Sequence, residues 1–284
     1  MSVTTLHPRG ARQRTAFVLG GGGNLGAVQI GMLQALFERN ITPDVLVGCS
    51  VGALNAAAIA SRPDLDGVEG LRRTWLDPTT WQVFSPGRLT GPWLLFKKAR
   101  SMVTNERIRR LVETTVSERR FEDFALPLHV VATSLHTGRP AWFDRGPVVE
   151  PILASAALPA VLPPVEIDGE PYIDGGVVDN VPISHALELG VERVVVLHVG
   201  NFSRPRTNPQ RPLDVLLQAF SIARNERFAR ESELQHPDVE VVVLPGVAPG
   251  PIKRNDFSKT EALIARAHAA SAGFLDAHPA AASL

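Results

Sequence analysis

The sequence predicts an α/β fold with a mainly parallel central sheet covered by helices on both faces. Three observations carry this expectation. Short apolar runs of strand length occur at 15–19, 45–47 and 193–199; longer stretches with apolar residues at helical spacing separate them; and glycine marks the joins. A chain of 284 residues with 44% hydrophobic content can bury a sizeable core. Residues 15–284 are expected to form a single domain behind a flexible N-terminal tail at 1–14.

The elements follow in order. Thr15-Ala16-Phe17-Val18-Leu19 reads as a buried strand that runs straight into Gly20-Gly21-Gly22-Gly23-Asn24-Leu25-Gly26. A helix comes next, because Ala27, Ile30, Met32, Leu33, Leu36 and Phe37 recur at roughly its period, and Asn40 is a suitable stop. Pro43 to Gly48 returns the chain as a second strand, completing a strand–helix–strand unit whose parallel crossover is normally right-handed. Further strands are expected at Leu128–Ser134, Pro140–Phe143, Arg193–Val199 and Val239–Leu244. Helices are expected at Leu65–Asp77, Asn105–Glu118, Val149–Ala157, Ile183–Leu189, Leu213–Gln235 and Ser258–Asp276. Residues 78–103 and 201–212, rich in proline, read as irregular, and no repeat of fixed period is present.

Composition narrows the function classes. Lys+Arg and Asp+Glu are equal at 29 each, so no global field argues for nucleic acid as a partner. The single cysteine, Cys49, excludes an intrachain disulfide and a multi-cysteine metal site, and suits a reducing cytosol. Residues 1–14 lack the apolar core of a secretory signal, and no run of about 18 apolar residues could span a bilayer. The expected location is cytoplasmic, with contact at the membrane periphery.

Three motifs carry chemistry. Gly48-Cys49-Ser50-Val51-Gly52 lies between an apolar strand and the alanine-rich stretch Ala53–Ala60, the setting of a nucleophile elbow: the turn leaves no room for side chains two residues either side of the serine. The competing interpretation makes Ser50 a helix cap. The glycine run ends a strand and opens a helix, where free N–H groups and the helix dipole favour an anion, either a phosphate or the oxyanion of acyl transfer. It lacks the ending of a P-loop, and no acidic residue stands about 20 residues on to hold a ribose. In Tyr172-Ile173-Asp174-Gly175-Gly176, Asp174 closes an apolar segment beside two glycines, which suits a site carboxylate or a simple turn.

Together, in this order, the tetraglycine loop, the elbow and the Asp-Gly-Gly resemble the patatin-like phospholipase family of serine acyl hydrolases. The likeness runs through Leu19–Leu33, Gly48–Asn55, Ala154–Pro159 with Pro163-Pro164-Val165, and Tyr172–Pro182. It implies a patatin-like α/β hydrolase domain with a dyad of Ser50 as nucleophile and Asp174 as general base. It also implies that Gly21, Gly22 and Gly23 form the oxyanion loop, and that lipid-like carboxylic esters are cleaved without metal or organic cofactor. The family's glycine loop usually carries Arg or Lys before its last glycine, where this chain has Leu25. A carboxylate of ordinary pKa is a poor base for a hydroxyl, so burial or orientation of Asp174 must compensate.

Other readings compete. A Ser-Asp-His triad would draw on His185, His198, His236, His268 or His278, of which His198 at a strand end is the best placed. Cys49 reads as a small buried residue, and Asp144, Asp168 and Asp179 as turn or surface residues. The segment 88–100, with Trp93, Leu94, Leu95 and Phe96 ahead of a basic end, suits a lid or a patch resting on anionic lipid, or a helix packed on the core. The same Ser50 would serve a thioesterase or an acyltransferase. From a different class, a lipid- or anion-binding regulator with an impaired site is the alternative, kept alive by Leu25.

Overall fold

Valine- and alanine-rich runs buried from end to end build the centre of the sheet. In the computed structural model, which describes residues 13–78, 80, 105–200, 212–234, 236–247 and 257–278, strands β1 (Thr15–Leu19), β2 (Val45–Cys49), β3 (Leu128–Ser134), β7 (Arg193–Leu197) and β8 (Glu240–Val243) pair in parallel. Strands β4 (Pro140–Phe143), β5 (Val165–Ile167) and β6 (Glu170–Asp174) add antiparallel pairs. The eight strands run in the order β5-β6-β3-β2-β1-β7-β8, with β4 on β3. A mostly parallel sheet covered on both faces is the expected class, and near-continuous apolar strands are its signature.

Alternate residues of each strand serve different faces. Phe17, Leu19, Leu46, Val195 and Leu197 join the larger core with helices α1 (Ala27–Phe37), α2 (Val51–Ser61), α3 (Leu65–Leu76), α4 (Glu106–Thr115), α5 (Val149–Ser155) and α8 (Thr260–Ala277). Ala16, Val18, Val45, Val47, Val194 and Val196 face a thinner layer. That layer consists of α6 (Ile183–Glu188), flanking residues Val181 and Val191, and Phe228 of α7 (Pro212–Glu233). Burial of α1 and α2 on nearly every side explains their mostly apolar composition.

The helices and strands expected from periodicity are present, with ends displaced by at most three residues. The β5–β6 hairpin is the element that periodicity missed. Its strands are only three and five residues long and one contains Pro171, which weakens the alternation signal. Its turn was nevertheless written in Asp168-Gly169, both at positive φ, 51° and 80°, the pairing that closes a two-residue hairpin.

Residues 1–12 of the expected tail lie outside the described residues. Its last residue, Arg14, is held: its N–H donates to Glu192 Oε2 at 3.0 Å and its guanidinium to the Leu189 carbonyl at 2.9 Å. The aromatic segment containing Trp93, Leu94, Leu95 and Phe96 also lies outside the described residues.

Candidate active site

The register of β3 brings the two key motifs together. One edge of β3 carries β2 over Leu128–Val131, ending in the Cys49–Val131 pair. On the opposite edge lies β4, paired with Val130–Thr133. Because β6 pairs with Ala132–Ser134, residues that β4 already occupies from its own side, β6 must lie on the β2 edge. There β2 and β6 run in opposite senses and meet end to end, Cys49 opposite Val131 and Asp174 opposite the next residue, Ala132. Ser50, one residue past the end of β2, therefore faces Asp174 across 124 residues of sequence.

Ser50 sits at φ 54° and ψ −126°, a strained backbone conformation for a residue with a side chain. Close packing forces it. A Cβ on Gly48 would come 2.6 Å from Ala53 Cα, and one on Gly52 would come 2.1 Å from the Leu19 carbonyl oxygen, so only glycine lets α2 turn back against β1 and β2. The strained serine is braced by Ser155 at the end of α5, whose Oγ accepts the Ser50 N–H at 2.8 Å. Ser50 does not cap α2. Its hydroxyl makes no capping bond and donates instead to Asp174 Oδ2 at 2.8 Å.

Asp174 is only 2% exposed. Its second oxygen, Oδ1, accepts the Gly176 N–H at 2.7 Å; its backbone N–H donates to Ala157 O at 3.0 Å; and its carbonyl accepts the Thr133 hydroxyl at 2.9 Å. Burial pushes the carboxyl above its ordinary value, against the opposing pull of the Gly176 N–H, the Arg224 charge and the Ser50 hydroxyl. A carboxylate whose pKa is raised by burial is a stronger base than an exposed one.

The glycine loop lies over the same point. A Cβ on Gly21 would stand 2.9 Å from Ser50 Cβ and 2.7 Å from Asn180 Oδ1, so this backbone is pressed against the serine. Gly21 differs from Gly22 and Gly23 in one respect that the sequence could not show: its N–H already donates to the Asn180 carbonyl at 3.1 Å. Among the described residues the N–H groups of Gly22 and Gly23 have no acceptor, and the N-terminus of α2 adds its dipole beside Ser50. Leu25 packs against the larger core, so no cation stands at that place in the loop.

A polar brace under the loop had no motif to announce it. Gln29 Nε2 donates to Gly20 O at 2.8 Å and Leu197 O at 3.0 Å. Asn55 Nδ2 donates to Gly26 O at 3.1 Å and Gln29 Oε1 at 2.8 Å, and Trp75 Nε1 donates to Asn55 Oδ1 at 2.9 Å. All three side chains are buried, and each apolar-looking helix spends one polar residue on the loop. Gln29 and Asn55, amides set among mostly apolar helical residues, were the available signal.

The remaining candidates separate cleanly. Among the described residues no histidine hydrogen-bonds Ser50 or Asp174. His185 stacks on Trp142 and meets His129 at 3.1 Å, His268 meets Glu38, and His278 lies on the Phe274 carbonyl. His198 is buried with its ring edge on Phe228 and its Nδ1 accepting the Gly200 N–H; desolvation and the Arg224 charge hold it down to about 4, so it is neutral. Cys49 is fully buried and its thiol is pushed well up by desolvation, in keeping with a packing role. Asp144 and Asp168 are exposed, as expected. Asp179 is not: it is 4% exposed, because the turn after Asp174 folds it under α7, and burial raises it to about 7. Among the described residues no cluster could hold a metal ion, and no helix is long and apolar enough to cross a membrane.

Comparison with known proteins bears on this arrangement. The chain is 30% identical over 188 residues to a lysophospholipase nte1 of Aspergillus terreus, covering 65% of this chain and 12% of that protein. It is 31% identical over 191 residues to a lysophospholipase NTE1 of Cryptococcus neoformans, covering 66% of this chain and 11% of that one. An uncharacterised NTE family protein of Mycobacterium bovis is 32% identical over 171 residues, 60% of this chain and 45% of its own length. The chain thus spans about an eighth of the fungal proteins' length. Among solved structures, VipD of Legionella pneumophila aligns over 90% of this chain and 67% of its own, at a TM-score of 0.44 and 15% identity. A profile of the patatin-like phospholipase family matches residues 17–187, which include the glycine loop, the elbow and the Asp-Gly-Gly turn. The chain belongs to the patatin-like phospholipase family.

Proposed function

We propose that this chain is a serine-dependent lipid acyl hydrolase in which Ser50 is the nucleophile and Asp174 its general base. The observation that carries the reading is the 2.8 Å hydrogen bond from the Ser50 hydroxyl to a buried carboxylate, made by a serine held on a strained elbow. Attack of Ser50 Oγ on the ester carbonyl carbon moves the hydroxyl proton to Asp174 Oδ2. The carbonyl oxygen, now negative, is met by the N–H groups of Gly22 and Gly23, with Gly21 serving to fix the loop rather than to donate. Collapse expels the alcohol, which leaves with the proton from Asp174, and an acyl group remains on Ser50. Water then gives a proton to Asp174 and attacks the acyl carbon, releasing the fatty acid and returning the proton to Ser50.

The names of the fungal relatives favour lysophospholipid as the ester, with phospholipid and glyceride as the neighbouring classes. A thioesterase or acyltransferase would use the same acyl-enzyme and differ only in leaving group or acceptor.

Labelling with a fluorophosphonate, read by intact mass on wild type, Ser50→Ala and Asp174→Asn, tests the roles. Hydrolysis of lysophosphatidylcholine, diacyl phosphatidylcholine, monoglyceride and an acyl thioester tests the class. Labelling abolished in Ser50→Ala, with turnover lost in both variants, is expected. A folded wild type that neither labels nor hydrolyses any of these points to a lipid-binding protein instead.

A further inference from the structure

Arg224 of α7 reaches toward the site, and its contacts are unusual for an arginine. Its Nη1 donates to Asn180 Oδ1 at 3.2 Å, its Cζ lies 4.9 Å from the centre of the Phe220 ring, and its Nε is shielded from water without an acceptor among the described residues. Its Cδ is 3.4 Å from where a Cβ on Gly176 would stand, and the Gly176 N–H is what holds Asp174 Oδ1.

Asn180, the residue that Arg224 grips, is also the anchor of the glycine loop. Its carbonyl accepts the Gly21 N–H at 3.1 Å and its Nδ2 donates to Gly21 O at 3.2 Å, while Gly21 presses on Ser50. One arginine side chain therefore reaches both arms of the site, the loop through the guanidinium's bond to Asn180 and the carboxylate turn through the Cδ methylene beside Gly176.

We propose that Arg224 is a positioning residue for the hydrolysis: it locks Asn180, and through it the glycine loop, and sets the compensating positive charge beside the buried Asp174 carboxylate. The proposal rests on the Ser50–Asp174 reading. A half-buried guanidinium whose Nε is shielded from water without an acceptor among the described residues favours negative charge nearby, and Asp174 and Cys49 are the groups whose negative forms it stabilises. Of these the Cys49 thiol is pushed up and stays neutral. The other titratable groups around this point are His198 beyond β7, which is neutral, and Asp179, whose own neighbours are Arg227 and Glu231 of α7.

The sign follows. Asp174 works as a base only when ionised; burial raises its pKa and the Arg224 charge lowers it. Removing the charge leaves burial opposed only by the Gly176 N–H and the Ser50 hydroxyl, so the acidic limb of kcat/KM must move to higher pH.

The test uses p-nitrophenyl butyrate, a neutral ester, so that binding of a charged headgroup plays no part. Arg224→Met is expected to raise the acidic limb by about 1 unit and to lower the plateau kcat more than it changes KM. Arg224→Lys is expected to return the limb toward wild type while the plateau stays low, since a lysine keeps the charge and loses the fork that grips Asn180. Where the methionine variant does not fold, Arg224→Gln, which keeps a donor for Asn180, must move the limb in the same way. An unmoved limb in a folded, uncharged variant, with Ser50→Ala inactive, overturns the role of Arg224 and leaves the dyad standing. Full turnover by Ser50→Ala overturns the dyad and this proposal with it.

Discussion

The backbone strain at Ser50 can be measured by comparing two inactive variants, Ser50→Gly and Ser50→Ala. Both remove the hydroxyl, both leave Asp174 with the Gly176 N–H alone, and both keep the Ser50 N–H bond to Ser155, so these effects cancel between them. What differs is the residue's tolerance of φ 54° and ψ −126°, a region that glycine enters freely and alanine does not. Such strain costs about 1–3 kcal/mol. Glycine gives back about 0.4–1 kcal/mol through the greater freedom of its unfolded chain. The midpoints of these ranges make the glycine variant more stable by about 1.3 kcal/mol, with an upper bound of about 2.6 kcal/mol, or about 3 °C in Tm at the midpoint for a chain of this size. Urea and thermal unfolding, followed by circular dichroism at one pH for both variants, give the comparison. An alanine variant as stable as the glycine variant, or more so, would refute the claim that the elbow stores strain at this residue.

Two further outcomes follow from the site. Ser155→Ala leaves the Ser50 N–H without its acceptor in a buried position, which should lower stability by about 1–3 kcal/mol in urea unfolding and slow fluorophosphonate labelling of Ser50; unchanged labelling kinetics would show that the brace is dispensable. His198→Gln should keep both labelling and turnover, because the ring touches neither Ser50 nor Asp174 and is neutral at any working pH, whereas collapse of activity in a folded His198→Gln protein would reinstate a triad.

Much of the fold was legible because it rests on local patterning. Apolar runs of strand length, helical spacing and glycine at the joins gave β1, α1, β2 and α2 in order, and the later strands and helices within a few residues of their ends. The elbow was legible for the same reason: the glycines at 48 and 52 are demanded by neighbours within five residues or by the adjoining strand. The glycines after Asp174 left it open between a site carboxylate and a turn, with its role implied only by the family resemblance, and the strand that delivers it could not be seen in alternation, since β6 is short, holds a proline and forms by pairing with β3.

What the sequence by itself determined was the inventory: a serine on a tight strand-to-helix turn, a glycine run opening a helix, and a carboxylate before two glycines. Each depends on steric demands that act over a few residues. The tertiary structure decided which of these groups meet and in what state. The head-on approach of β2 and β6 along one edge of β3 sets the Ser50–Asp174 contact, and burial sets the basicity of Asp174. The Asn180 carbonyl takes one of the three glycine donors, and α7 brings Arg224 to Asn180 and folds over Asp179. Those contacts join residues 44 to 159 positions apart, and at such separations neighbours are chosen by how sheet and helices pack, which no local pattern encodes.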